Sequence, residues 1–194
     1  MLYFRRMDQL KVYIAGKVSP TSVFGTHDWR DGFCTALSDL SGVKLVNLDP
    51  TKSHPEFTLD ETDARLVFGR DCFMIREADL VIVNLTDDIS VGGSQEMLIA
   101  KHYGRPLVGI APWGGKFRQR EKEISGNVYQ DWIHPFIQVP CDVLVETIEE
   151  LATWITQQTF PLSSISTLSV LDESIQHYLD QYYEHDQYLK TRGL

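Results

Sequence analysis

The chain has few cysteines, no excess of basic residues and no long apolar run. Cys34, Cys72 and Cys141 are scattered without a CxxC pair, which favours a reducing cytoplasm over a disulfide-bonded secreted domain. The net charge of −9 argues against a nucleic-acid partner. No apolar segment approaches the roughly 20 residues of a membrane span, and residues 1–10 lack the apolar core of a signal peptide. We therefore expect a cytoplasmic protein that binds neither membrane nor nucleic acid.

Sequence motifs for common cofactors are also lacking. The six histidines form no pair at metal-ligand spacing. Neither the glycine-rich dinucleotide fingerprint nor the Walker A sequence for nucleotide phosphates is present. The sequence thus predicts no metal and no cofactor, and its 194 residues suit one domain with an appendage.

Apolar strands alternate with amphipathic helices over residues 1–158. The predicted strands cover residues 11–16, 43–48, 80–85, 107–111 and 143–145. The predicted helices cover residues 29–40, 60–77, 94–103 and 147–157. This alternation predicts an α/β domain with a doubly wound, five-stranded parallel sheet of the flavodoxin or Rossmann type, flanked by helices. Ligands of such sheets bind beyond the carboxyl ends of the strands, where Gly16 and Asp49 are expected.

Three segments fall outside this alternation. Residues 112–140 are polar and irregular, which predicts a long active-site loop. Residues 159–167, rich in Pro, Ser and Thr, indicate a linker, and residues 168–194 a C-terminal helical extension. Within the extension, one amphipathic helix is predicted from about residue 170 to residue 190. Its apolar face packs on its own domain or on a partner subunit, and periodicity favours neither.

Asp71 lies in the apolar face of a predicted helix. Four apolar residues mark that face at helical spacing: Val67, Met74, Ile75 and Ala78. A buried carboxylate is costly unless it is paired or its pKa rises, and a raised pKa suits a general acid. A structural aspartate paired with Arg70 or with a backbone donor is the alternative.

Glu96 lies in the first turn of the next predicted helix, after Gly92, Gly93 and Ser94. The helix dipole favours an anion there and would keep Glu96 ionised, as a nucleophile requires, although the dipole alone makes glutamate common in first turns. The glycine segment also offers backbone amides to an anion or a sugar hydroxyl, unless it is a plain loop with Ser94 as N-cap. Two carboxylates with opposite pKa pressures are typical of glycosidic bond chemistry.

Several short segments share their order and spacing with a known family. They are 12–16, Trp29-Arg30, Arg70-Asp71, 78–83, Gly92-x-x-x-Glu96, Gly104-Arg105-Pro106 and His134-Pro135. Through them, residues 11–156 resemble the nucleoside 2-deoxyribosyltransferase superfamily. That superfamily includes deoxyribosyltransferases and 2′-deoxynucleoside 5′-phosphate N-hydrolases. The C-terminal helix lies outside the resemblance.

The resemblance implies a role for each site residue. Glu96 matches the nucleophile that forms a covalent glycosyl-enzyme, Asp71 the acid that protonates the leaving base, and Tyr13 the tyrosine that orients the nucleophile. The implied activity is transfer of 2-deoxyribose between nucleobases, with retention and without a cofactor. His134 is expected at the substrate. The family's composite sites imply a homo-oligomer, with Asn127 as the nearest candidate for the asparagine that a neighbouring subunit contributes.

Ser90 departs from the deoxyribosyltransferase pattern. At this position the transferases have an acidic residue at the 5′ side of the sugar, whereas the nucleotide hydrolases have a serine that holds a 5′-phosphate. A serine accommodates a phosphate that a carboxylate repels. Hydrolysis of nucleoside 5′-monophosphates therefore stays open, with Lys17 as a single cation for the phosphate. A non-catalytic nucleotide sensor is a third possibility.

Overall fold

The computed structural model describes residues 9–16, 29–52, 56 and 59–193, and its centre is a parallel sheet. The sheet contains β1 (Gln9–Ala15), β2 (Lys44–Asn47), β3 (Leu80–Asn84), β4 (Leu107–Ile110) and β7 (Val143–Val145). Its strand order is β2-β1-β3-β4-β7. The chain reverses its winding direction between β1 and β3, and ligands bind at such switch points. The predicted doubly wound, five-stranded parallel sheet is confirmed.

Side chains of the strands alternate between two apolar layers. Leu10, Val12 and Ile14 of β1 pack in the layer of α1 (Trp29–Ser41) and α5 (Ile148–Gln157). Tyr13 and Ala15 of the same strand pack in the layer of α2 (Ala64–Glu77) and α3 (Val91–His102). Because helices cover both faces, every residue of β3 is buried. The alternation thus directs Tyr13 towards α2 and α3.

The polar region 112–140 forms a hairpin, so the prediction of an irregular loop is wrong. Strands β5 (Arg118–Ile124) and β6 (Asn127–Ile133) pair antiparallel in a sheet of their own, followed by the short helix α4 (Pro135–Gln138). Ser125 and Gly126 form the turn, with φ of 52° and 80°. Positive φ at both residues is typical of a two-residue hairpin turn. Most of the hairpin is exposed, so no apolar alternation in the sequence marked its strands.

The C-terminal extension is broken into shorter pieces, so the prediction of one continuous helix is wrong. Helix α6 (Ser169–Gln181) is followed by a turn of 3-10 helix at Tyr183–His185 and by α7 (Gln187–Lys190). Asp186 begins α7, where its carboxylate accepts hydrogen bonds from the Leu189 amide at 3.0 Å and from the Tyr178 hydroxyl at 2.9 Å. That cap starts a new helix instead of continuing the old one.

The apolar face of α6 is open. None of its residues is buried against the described part of the chain, and Leu171, Ile175 and Leu179 are 46%, 56% and 42% exposed. Within the described ranges, no helix has the length and apolar character needed to cross a membrane.

Candidate active site

Tyr13 and Glu96 meet in the layer between the sheet and α3. The Tyr13 hydroxyl donates a hydrogen bond to Glu96 Oε1 at 2.8 Å, and the tyrosine is fully buried. Burial, together with the charges of Glu96 and Asp71, raises the pKa of Tyr13 far above its usual range. The phenol therefore stays protonated at neutral pH and acts as a fixed donor to the carboxylate.

Glu96 is held by this hydrogen bond and not by the start of its helix. Helix α3 begins at Val91, so Glu96 is its sixth residue and lies beyond the first turn, where the effect of the dipole fades. Burial and the charge of Asp71 raise the pKa of Glu96, whereas the Tyr13 hydrogen bond and the charge of Arg30 lower it. The net direction is upward. The predicted first-turn location is wrong, because the capping residue lies four positions earlier than expected.

Asp71 is a half-buried carboxyl group on α2. Burial and the charge of Glu61 raise the pKa of Asp71, whereas the charges of Arg70 and Arg30 lower it. The net direction is upward, as the place of Asp71 in the apolar face of the helix predicts. Arg70 instead donates to the carbonyl oxygens of Pro50, at 2.8 Å, and Lys52. Within the described chain, Asp71 has no ion pair and no side-chain hydrogen bond. The structure therefore contains no ion pair between Arg70 and Asp71.

Tyr13, Asp71 and Glu96 form one electrostatic unit. The charge of Asp71 raises the pKa of both Tyr13 and Glu96. Both carboxyl groups have raised pKa values, so the expected opposite pressures are absent between these two described groups. They differ instead in their partners, because only Glu96 receives a hydrogen bond from Tyr13. This hydrogen bond favours the charged form of Glu96.

Ser90 begins α3 and lies beside Glu96. Its hydroxyl oxygen accepts the Gly93 amide hydrogen bond at 3.0 Å, as an N-cap does. A Cβ on Gly92 would lie 3.7 Å from Glu96 Oε1 and 3.9 Å from Ser90 Oγ, so both polar atoms border the same small space. A Cβ on Gly93 would lie only 3.2 Å from Ser90 Oγ. The absence of a side chain at Gly92 leaves room beside the carboxylate, whereas the Gly93 position is closely packed against Ile89 and Ser90.

Ser94 lies within α3 and not in a loop before it. Its hydroxyl donates to the carbonyl oxygen of Val91 at 2.8 Å, so it is not the N-cap. The predicted glycine loop is therefore the first turn of the helix. The helix begins earlier than predicted because Ser90 caps it and because glycines, although poor helix formers, are tolerated in a first turn.

Gly16 ends β1 at the switch point. A Cβ there would lie 3.1 Å from the Asn84 Cβ and 3.4 Å from the Trp29 ring, so the position is closely packed. The Gly16 carbonyl oxygen accepts a hydrogen bond from Arg30 at 3.0 Å. The only signal for Arg30 in the sequence was the Trp29-Arg30 match, which predicted no role for it. Lys17 lies outside the described residues.

Asp49 is a buried residue after β2 that shapes its own turn. Its Oδ1 accepts hydrogen bonds from the Thr51 amide at 2.9 Å and the Thr51 hydroxyl at 2.7 Å. These contacts are those of an Asx turn. In this arrangement Asp49 holds the loop, and substrate contact for it stays a prediction.

Asn127 and His134 lie apart from the Tyr13–Glu96 pair. Asn127 is exposed at the start of β6, next to the hairpin turn. His134 lines a largely apolar pocket of about 490 Å³ with Ser94, Phe117 and Phe136. Tyr13, Asp71 and Glu96 are not among the residues that line it. Among the described residues, no hydrogen bond joins His134 or Ser94 to Asp71 or Glu96, and substrate contact for both stays a prediction.

The described residues contain no group of three or more His, Cys, Asp or Glu side chains placed to hold a metal ion.

Among the solved structures that resemble this chain, two share its fold over most of its length. One is a conserved protein from Enterococcus faecalis V583, with 18% identity and a TM-score of 0.52 over 77% of this chain and 98% of that chain. The other is a 2-desoxiribosyltransferase from Leishmania mexicana, with 18% identity and a TM-score of 0.52 over 77% of this chain and 99% of that chain. No protein-family model and no curated protein matches the chain. The resemblance inferred from sequence is thereby confirmed in the fold.

Proposed function

We propose that this protein is an enzyme that transfers 2-deoxyribose between nucleobases with retention of configuration. The observation that carries the proposal is the 2.8 Å hydrogen bond from Tyr13 to Glu96, with Asp71 close enough to raise the pKa of both groups. The likeness of the fold to a 2-desoxiribosyltransferase supports the same reaction class.

The first half-reaction breaks the bond between sugar and base. A carboxylate oxygen of Glu96 attacks C1′ of the deoxyribose, and the electron pair of the C1′–N bond moves onto the base. Asp71, protonated, gives its proton to the departing base. The products are a glycosyl ester on Glu96, a neutral base and an Asp71 carboxylate.

The second half-reaction reverses these steps with another base. A ring nitrogen of the incoming base attacks C1′ and releases the Glu96 carboxylate. Its N–H proton moves to Asp71, which restores the starting enzyme. Two inversions at C1′ give net retention. Water in place of the second base would give hydrolysis.

This cycle requires Glu96 to be ionised while Asp71 is protonated. The Tyr13 hydrogen bond stabilises negative charge on Glu96, whereas Asp71 has no hydrogen-bond donor within the described chain. Once Glu96 carries the charge, its repulsion disfavours ionisation of Asp71. We therefore propose that Asp71 carries the proton while Glu96 is ionised.

The Ser90 hydroxyl favours a second candidate, hydrolysis of nucleoside 5′-monophosphates. Its oxygen accepts the Gly93 amide, and its hydrogen has no acceptor within the described chain. A hydroxyl at a helix N-terminus suits a phosphate oxygen. The position of Ser90 beside Gly92 and Glu96 would place the 5′ end of the nucleotide there.

One assay separates these functions. Purified protein is incubated with deoxyinosine and adenine, and separately with dCMP or dGMP, and bases and nucleosides are followed by chromatography. Deoxyadenosine formed only in the first mixture supports transfer. Base released only from the monophosphates supports the second candidate and contradicts the first. No turnover, together with a nucleotide that raises the Tm, identifies a sensor. Glu96→Ala, assayed in parallel, excludes a contaminating enzyme.

We further propose that the chain assembles with copies of itself. The apolar face of α6 is open, and Asn127 lies at the exposed hairpin end, where it is available to a neighbouring copy. Sedimentation equilibrium tests this. A monomer at micromolar concentration would contradict it.

A further inference from the structure

Arg30 is a buried cation at the carboxyl end of β1. Its side chain is on the second residue of α1, and the residue is only 2% exposed. Nε donates to the carbonyl oxygen of Ile14 and Nη2 to that of Gly16, both at 3.0 Å. The guanidinium carbon lies 4.7 Å from the centre of the Trp29 ring. The two hydrogen bonds therefore fasten the strand directly after Tyr13.

A packing role alone does not account for this guanidinium. Its third nitrogen, Nη1, is buried and has no hydrogen-bond partner within the described chain. Burial of an unpaired polar group is unfavourable, and burial of a charge more so. A methionine of similar length would fill the same space without either cost. The positive charge is thus the property that needs an explanation.

The explanation lies in the groups that act on the charge of Glu96. Tyr13 reaches Glu96 from β1, Asp71 faces it from α2, and Arg30 is the cation that acts on it from α1. Arg30 also lowers the pKa of Tyr13 and Asp71. Asp71 additionally faces Arg70 and Glu61. Without Arg30, only the Tyr13 hydrogen bond among these groups would favour the ionised form of Glu96 against burial and Asp71.

We propose that Arg30 is a positioning residue for the glycosyl transfer: it fastens the end of β1 that carries Tyr13 and supplies the positive charge that keeps Glu96 ionised. The inference rests on the proposed function, because it assigns a purpose to the charge on Glu96. It goes beyond that function by adding a group from α1 to the residues named from sequence.

Two variants separate charge from packing. Arg30→Met keeps the length and loses the charge, and Arg30→Lys keeps the charge but loses the planar fork that bonds two carbonyl oxygens. Arg65→Met, at the exposed start of α2, is the matched control. The first measurement is the pH profile of kcat/KM. The second is a titration of the Glu96 carboxyl carbon by ¹³C NMR in ligand-free protein, assigned with Glu96→Gln.

In Arg30→Met, loss of the cation raises the pKa of Glu96, so the acid limb of the profile and the NMR titration move up by about one pH unit. In Arg30→Lys, the acid limb stays near its wild-type position while kcat falls about tenfold, because the end of β1 is less well held. Arg65→Met changes neither.

If Glu96 titrates in Arg30→Met as it does in the wild type, and only the Tm is lower, Arg30 is structural and the inference is overturned. If Arg30→Met does not fold, wild-type kcat in Arg30→Lys overturns it equally. A wild-type protein without turnover refutes the proposed function, and the NMR titration still decides whether Arg30 controls the charge of Glu96.

Discussion

The hydroxyl of Tyr13 lies 2.8 Å from Oε1 of Glu96 and joins strand β1 of the sheet to the helix α3. The two residues are 83 positions apart in the chain. Since a carboxylate has two oxygens, the bond to one of them fixes the orientation of the other. A nucleophile held in this way loses little freedom when it attacks.

Tyr13→Phe is expected to shift the acid limb of kcat/KM to higher pH. The hydroxyl favours the ionised form of Glu96, so its loss raises the pKa of Glu96 and leaves less carboxylate at a given low pH. Activity at neutral pH should fall about tenfold or more. Tyr129→Phe, on the exposed hairpin, is the control. An unchanged acid limb would contradict the orienting role.

Glu96→Gln is expected to reduce turnover by about 10³-fold or more while the protein stays folded. Because burial raises the pKa of Glu96, its charge at neutral pH opposes folding, and the variant should have an equal or higher Tm. Intact-mass spectrometry of wild type with a deoxynucleoside should show a glycosyl adduct that the variant lacks. Glu123→Gln, on β5, controls for the lost charge. Retained activity in Glu96→Gln would refute the nucleophile.

Asp71→Asn is expected to act mainly through the leaving group. The amide supplies no proton, so kcat should fall most for poor leaving bases and least for activated ones. The ratio of rates for an activated and a natural substrate measures this. Asp39→Asn, exposed on α1, is the control. An equal loss with both substrates would remove the acid role from Asp71.

Gly92→Ala is expected to separate stability from activity. The new methyl would lie 3.7 Å from Glu96 Oε1, an ordinary contact, so the fold tolerates it. Helix propensity should add about 0.5–1 kcal/mol of stability, whereas KM should rise because the space beside the carboxylate shrinks. Gly69→Ala is matched, since its Cβ on α2 would have no neighbour within 4 Å. It should gain stability with unchanged KM. Wild-type KM in Gly92→Ala would show that substrate does not use this space.

Lys101→Met tests the buried ion pair behind the site. Lys101 is fully buried and pairs with Asp142, which also accepts hydrogen bonds from the amides of Leu107 and Ser166 at 2.8 and 2.9 Å. Removal of one partner should lower the free energy of unfolding by about 3–5 kcal/mol at pH 7. Urea titrations measure it. A loss below about 1 kcal/mol, as for exposed pairs, would contradict this prediction.

The loss of stability caused by Asp142→Asn is expected to become smaller in acid. Burial raises the pKa of Asp142, but hydrogen bonds from Lys101, Leu107 and Ser166 outweigh burial and lower it overall. A lowered pKa stabilises the fold above the ordinary value of about 4, and this stabilisation fades as pH falls through the lower native value. The difference in unfolding free energy between wild type and Asp142→Asn should therefore shrink from pH 7 to pH 3. A constant difference would mean that the charge is not the source.

The predictions from sequence succeeded for the elements in which buried residues recur at a regular spacing. Continuous apolar strands and helices with one apolar face predicted the five-stranded sheet, because each residue's burial there depends on its own element. The exposed hairpin at 118–133 and the break at Tyr182 were missed. Neither segment buries residues at a regular spacing. The turn of the hairpin and the cap of the last helix each depend on only one or two residues.

The sequence by itself determined the sheet and the presence of Asp71 and Glu96 on successive helices. Only the tertiary structure decided what holds each of them. Ser90 as N-cap moved Glu96 beyond the first turn, so a phenol and not the helix dipole favours its charge. Arg30 of α1 bonds to the end of β1, and His134 lines a pocket that Tyr13, Asp71 and Glu96 do not line. The physical reason is that periodicity encodes which side chains are buried, whereas contacts between distant segments require the whole fold.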